Sequence, residues 1–369
     1  MIAPAAFEDL TFPEQKLKIW SAFESNQWLR ATQNYFTSGS GNGVTYGSPV
    51  TIGSSYGLAR WNGATMADNG KIYAPAHLDD GFLIIDTTND NVSQTGSLGG
   101  GSPSCNGCFY SPITRCVYTA TDDQRMYKMN IDTNAISYVS LPSYGSQWFP
   151  FVLSWDGMYA YSGGTNNTKN VVRYNLADDT YTVMSGATYS LDRSGCCLGV
   201  DNSLYMGAAN GTSYIKYDIA GNSIATVGSF AGDTHPGMIT GPDGNMYGFP
   251  NNANALIRIN VPYNTTTNVT TPASTCRGQS QCIGADGNIY SVGDSSTCTV
   301  YNLRTNTLST ITLPGGGYHG IVMAPSGDLY CVPWSSGVTV AKIPINNNGR
   351  VLRPLQEQNG IFGRHQTGI

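Results

Sequence analysis

The chain has 369 residues and a net charge of −5, with only 12% charged residues but 44 Gly and 23 Tyr. This is the composition of a turn-rich, strand-rich globular protein, not of a helical or disordered one. It gives no electrostatic basis for binding nucleic acid or an anionic membrane, and without a long apolar run no membrane insertion is expected.

The first residues, Met1 to Asp9, lack a basic stretch followed by an apolar one, so no signal peptide is expected. Thr11-Phe12-Pro13-Glu14 then reads as a capping box with Pro in the first turn. Leu17, Trp20, Phe23, Trp28 and Tyr35 follow at steps that keep them on one helical face. The pattern predicts a short N-terminal α-helix over residues 13–36. One helix cannot bury such a face by itself, so it must dock on the rest of the chain or on another subunit. Ser38 to Gly43 has the composition of a flexible linker.

Beyond the linker the chain repeats. A tyrosine after an aliphatic residue and a turn recurs at Tyr73, Tyr118, Tyr159, Tyr205, Tyr247, Tyr290 and Tyr330, at gaps of 45, 41, 46, 42, 43 and 40 residues. Five copies carry an Asx-Gly or Ser-Gly turn just ahead of it: Asn69-Gly70, Asp156-Gly157, Asp243-Gly244, Asp286-Gly287 and Ser326-Gly327. A second strand in each repeat ends in Asx, at Asp86, Asn130, Asn175, Asp218, Asn260 and Asn302, with Pro344 in the last copy. A period of this length built from short strands predicts an all-β fold, a seven-bladed β-propeller. Each blade should run inner strand, hairpin, tyrosine strand, Asx-ended strand, outer strand. Pro49-Val50-Thr51-Ile52 and Arg350-Val351-Leu352-Arg353 compete to close the ring. The expected division is residues 1–43 as anchor and linker, 44–354 as propeller and 355–369 as a tail.

What varies between repeats bears on function. Just before each inner strand lie Arg60-Trp61, Gly107, Trp148, Arg193, His235, Gln279 and His319. In a ring these positions surround one mouth of the central channel. Trp61, Trp148, Arg193, His235, Gln279 and His319 are therefore the candidate ligand or partner residues, suited to a polar ligand such as a sugar.

Other chemistry finds little support. No acid, base or nucleophile set converges, and no catalytic residue is assigned. Glu occurs only at Glu8, Glu14, Glu24 and Glu357, outside the repeats. Cys105 and Cys108 form a lone CxxC without the second pair a structural zinc site wants. The nine cysteines read as buried small hydrophobes, and no metal or other cofactor is expected.

The stretches His235 to Pro250 and Gly320 to Tyr330 resemble NHL/YVTN-type propeller repeats. That resemblance covers residues 50–345 and implies the fold. Divergent relatives with gluconolactonase activity use a channel metal site that includes a Glu, which this chain lacks there. The layout as a whole, a short helical anchor, a linker and a Gly/Asn/Thr/Tyr-rich β head, resembles a bacteriophage virion component of the tail or spike. It implies a non-enzymatic module assembled in the host cytoplasm. Its partners would be other virion proteins or further copies of itself, held through the helix, and a host-surface glycan. The alternative is a cytosolic propeller enzyme, a lactonase, lyase or glycosidase acting in the central channel.

Overall fold

The computed structural model describes residues 45–54, 60–77, 81–98, 104–141, 151–163, 170–184, 193–208, 213–228, 237–250, 255–270 and 278–346. They form seven four-stranded antiparallel sheets and one two-stranded sheet. The fold is a seven-bladed propeller. The inner strands are Thr65–Met66, Phe109–Ser111, Val152–Leu153, Arg193–Leu198, Gly237–Thr240, Ser280–Ile283 and Tyr318–Met323, which define blades 1 to 7. The predicted N-terminal helix, with Leu17, Trp20, Phe23, Trp28 and Tyr35, lies outside the described residues, as does the tail. Among the described residues the one helical element is the 3-10 turn Val261–Tyr263.

The repeat has a local chemical cause. At each hairpin between the first and second strands, one residue takes a left-handed backbone: Gly70, Arg115, Gly157, Asn202, Gly244, Gly287 and Gly327. Gly and Asn adopt it most easily. The preceding Asx closes the turn, as where Asp243 Oδ1 accepts the Asn245 N–H at 3.1 Å. Its other oxygen takes the hydroxyl of the tyrosine four residues on, Tyr247 to Asp243 at 2.7 Å and Tyr290 to Asp286 at 2.7 Å. So Asx, turn and Tyr form one hydrogen-bonded unit. Burial first, then the adjacent carboxylate, pushes these two phenols well above their ordinary pKa.

Tyr159 departs from this pattern. It comes two residues after Gly157, whereas the other tyrosines come three after their left-handed residue. Ala160 fills the equivalent place, and Tyr159 instead packs under Arg173, 4.8 Å from ring centroid to guanidinium.

The Asx-ended strands also behave as expected. The side chains of Asp86, Asn130, Asn175, Asp218 and Asn302 accept the N–H two residues on and start the next turn. Each such turn in blades 1 to 6 then carries a left-handed Asx: Asp90, Asn134, Asp179, Asn222, Asn264 and Asn306.

These turns share one face with the hairpins, here the lower face. Several tie neighbouring blades together. Lys128 of blade 2 pairs with Asp179 of blade 3. Lys216 and Tyr205 of blade 4 reach Asn264 of blade 5 at 3.2 and 3.4 Å. Lys342 and Tyr330 of blade 7 reach Asp90 of blade 1 at 2.9 and 2.6 Å.

Val50–Ile52 closes the ring as the outer strand of blade 7, pairing Val50 with Lys342 and Ile52 with Val340; residues 350–353 lie outside the described residues. Blade 7 thus has no chain turn to offer blade 6. Tyr46, just upstream of the closing strand, takes over that link. Its hydroxyl donates to Gly327 O of blade 7 and accepts the Ala285 N–H of blade 6, both at 2.9 Å, and its ring meets Tyr290 edge-on at 5.1 Å. Thr45–Tyr46 pairs with Ile345–Asn346, so both ends of the described chain leave together on the lower face.

Candidate functional site

The opposite, upper face carries the connections between second and third strands and those from blade to blade. Four such second-to-third connections supply His77 in blade 1, Asp122 in blade 2, Asp294 in blade 6 and Trp334 in blade 7. Arg60 and Asn106 enter from the blade-to-blade connections, and His319 from the start of the blade 7 inner strand. The group spans blades 6, 7, 1 and 2.

Extra backbone rungs hold it in place. His77 N–H donates to Arg60 O at 2.8 Å, Asp122 N–H to Ser104 O at 3.2 Å and Trp334 N–H to Gly317 O at 2.9 Å. Between blades, Gly63 N–H reaches His319 O at 3.0 Å and Tyr318 N–H reaches Gly293 O at 2.8 Å. Close approach of the inner strands needs glycine. A Cβ on Gly63 would stand 2.7 Å from Gly107 Cα, and one on Gly320 would stand 2.9 Å from Ala64 Cβ.

Trp334 is the pillar of the cluster. His319 stacks flat on it, ring centroids 4.0 Å apart and 7° between planes. His77 tilts against it at 4.7 Å, and the Arg60 guanidinium lies 5.6 Å from its centroid. His319 is buried, and its Nε2 is 2.5 Å from Asp294 Oδ1. A carboxylate accepts, so Nε2 carries the hydrogen and Nδ1 is the acceptor nitrogen of the neutral ring. Burial is the main cause that lowers the His319 pKa, with the bond to Asp294 opposing it and the nearby Arg60 charge adding to it. The ring is therefore neutral at pH 7 and oriented by a carboxylate, an arrangement that can hold or accept a proton.

His77 is fixed the other way round. Its Nδ1 lies 3.1 Å from Cys105 O, so Nδ1 donates and, in the neutral ring, Nε2 is the acceptor. Beyond it, Asp122 accepts from Asn106 Nδ2 at 2.7 Å, and burial raises its carboxyl pKa. Asn106 Oδ1 in turn meets Asn62 Nδ2 at 3.5 Å. Among the described residues no group of three His, Cys, Asp or Glu has metal-binding geometry.

The six residues singled out from the sequence fare differently. His319 is at the centre of the cluster. Trp61 is not on the mouth at all. It is fully buried, bridged to Ala76 and packed with Ile72, Leu83 and Val332 between blades 7 and 1. Gln279 is half-buried at the blade 6 entry, its N–H donating to Val292 O at 2.8 Å. Arg193 begins the blade 4 inner strand. Trp148 and His235 lie outside the described residues. The sequence reading passes over His77, Asp122, Asp294 and Trp334, yet each lies four residues after a repeated tyrosine: Tyr73, Tyr118, Tyr290 and Tyr330. That column of the repeat is the signal that finds them.

No protein-family model and no curated protein matches the chain. Solved structures do match its fold. A streptogramin B lyase aligns with a TM-score of 0.66 at 14% identity, covering 82% of this chain and 97% of that one. A catalytically inactive virginiamycin B lyase from Staphylococcus aureus with quinupristin aligns at 0.68 and 13%, covering 81% and 99%. The extracellular domain of a putative one-component system from B. thetaiotaomicron aligns at 0.65 and 13%, covering 81% of this chain and 40% of that one. At these identities the likeness concerns the fold alone.

Proposed function

We propose that the chain is a non-catalytic recognition propeller, carried by its lower face and reading a polar, glycan-type ligand with the cluster on its upper face. One observation carries the reading: the first and last described strands pair on the lower face, opposite the face on which Arg60, His77, His319 and Trp334 gather. A module anchored from below and open above suits recognition. The segment with Leu17, Trp20, Phe23, Trp28 and Tyr35 is then the attachment element, to copies of itself or to other proteins. Anchor, linker and β head together support a place in a phage virion, with a host-surface glycan as ligand.

The test has two parts. Light scattering on the full chain should give an oligomer, and on a chain starting at Gly43 a folded monomer. Full-length protein on an oligosaccharide array should bind through the upper face, so Trp334→Ala should abolish binding while Asp243→Asn on the lower face preserves it. Binding unaffected by Trp334→Ala would refute the assignment of the face.

A second reading has its own support. The His319–Asp294 pair is an oriented, neutral imidazole, and some proteins of similar fold are lyases. In an enzyme of this kind His319 would move the proton and Asp294 would hold its ring. Cleavage of any arrayed ligand, abolished by His319→Gln, would favour this reading over pure recognition.

A further inference from the structure

We infer that the upper-face site reads an oxyanion on its ligand, a carboxylated sugar, through the guanidinium of Arg60. This rests on the glycan reading and names its chemical class.

Three side chains gather on Trp334. His319 covers one in a parallel stack, His77 leans against the ring, and Arg60 is in cation–π range. The indole serves to hold Arg60. Among the described residues Arg60 makes no ion pair, and its backbone is pinned by the His77 N–H at 2.8 Å. It is half-buried, so part of its surface is still reachable. A guanidinium held beside an aromatic ring retains N–H groups that can take a carboxylate in two parallel bonds.

The carboxylates of the cluster do not compete for it. Asp294 is taken by His319, and Asp122 by Asn106 on the far side of His77. Neither forms an ion pair with Arg60. The remaining open positions, His77 Nε2 and His319 Nδ1, accept hydrogen bonds when the rings are neutral and so match sugar hydroxyl donors. An acidic sugar offers both kinds of group.

Calorimetry on the full chain tests this with oligogalacturonate and its carboxyl-reduced counterpart. The acid form should bind at least about tenfold more tightly, as a charge-assisted bond requires. Arg60→Ala should erase that preference, and Arg60→Lys should keep only part of it, both with wild-type circular dichroism. Equal affinity for both forms, or a preference that survives Arg60→Ala, overturns the inference. Reduced sugar that still binds and is lost in Trp334→Ala leaves the glycan reading standing without the acid. Binding of neither form by wild type sinks both.

Discussion

The two faces of this propeller are built by opposite rules. On the lower face the blades share their devices: all seven have a left-handed hairpin residue, four bond the tyrosine to the Asx of its own turn, and blades 1 to 6 carry an Asx turn. On the upper face the corresponding positions carry His77, Asp122, Asp294 and Trp334, an imidazole, two carboxylates and an indole at the same offset from their tyrosines. Where seven sites must satisfy one geometric demand, ring closure, the residues converge. Where the demand comes from something outside the ring, they diverge.

Mutations can break this contrast or sharpen it. Tyr46→Ala should cost the most, about 2–4 kcal/mol, because it removes a partly buried ring and the link between blades 6 and 7. Chemical denaturation measures it, and a loss below about 1 kcal/mol would mean the seam holds without the strap. Lys342→Ala should cost about 1–2 kcal/mol. Lys342 joins Asp90 and Asp328 in a small network, but solvent screening of the partly exposed pair keeps the cost down. Tyr247→Phe should cost about 1 kcal/mol, the value of one hydrogen bond to Asp243, read as a shift in urea midpoint.

The upper face should respond less in stability and more to conditions. His319 has a lowered native pKa, so above its unfolded value of about 6.5 both states are neutral there and nothing is lost. As pH falls below about 6.5 the unfolded chain takes up the proton first, and stability drops. Urea midpoints at pH 7.5 and 5.5 should therefore differ, and His319→Gln should narrow the gap. Arg60→Ala should change stability by no more than about 0.5 kcal/mol, its effect appearing in ligand binding alone.

The same contrast explains what could be read from the sequence. The fold was legible because its determinants are local: the Asx, the turn and the tyrosine lie within five residues and bond to one another. Blade 4 escaped the Asx-Gly pattern only because Asn202 replaces Gly in the left-handed position. Tyr159 looked like a member of the set by spacing, but a one-residue offset puts Ala160 in its place. The choice between Val50–Ile52 and residues 350–353 rested on pairing across almost the whole chain, which no local pattern encodes. Trp61 was misjudged because an aromatic beside the channel mouth fits a ligand platform and an inter-blade core equally well. His319 is a candidate in the sequence from its place ahead of an inner strand. Its partner Asp294 belongs to the previous blade, and only the ring's geometry brings the two together.

The closing strand also decides how the ring bears force. Val50–Ile52 starts at the lower face and runs upward along Val340–Ile343. A pull on the chain upstream of Thr45 therefore acts along the strand axis. Its rungs are strained at once, in shear, rather than opened one after another from an end. Tyr46, wedged between the hairpins of blades 6 and 7, lies just ahead of those rungs and takes the load before they do.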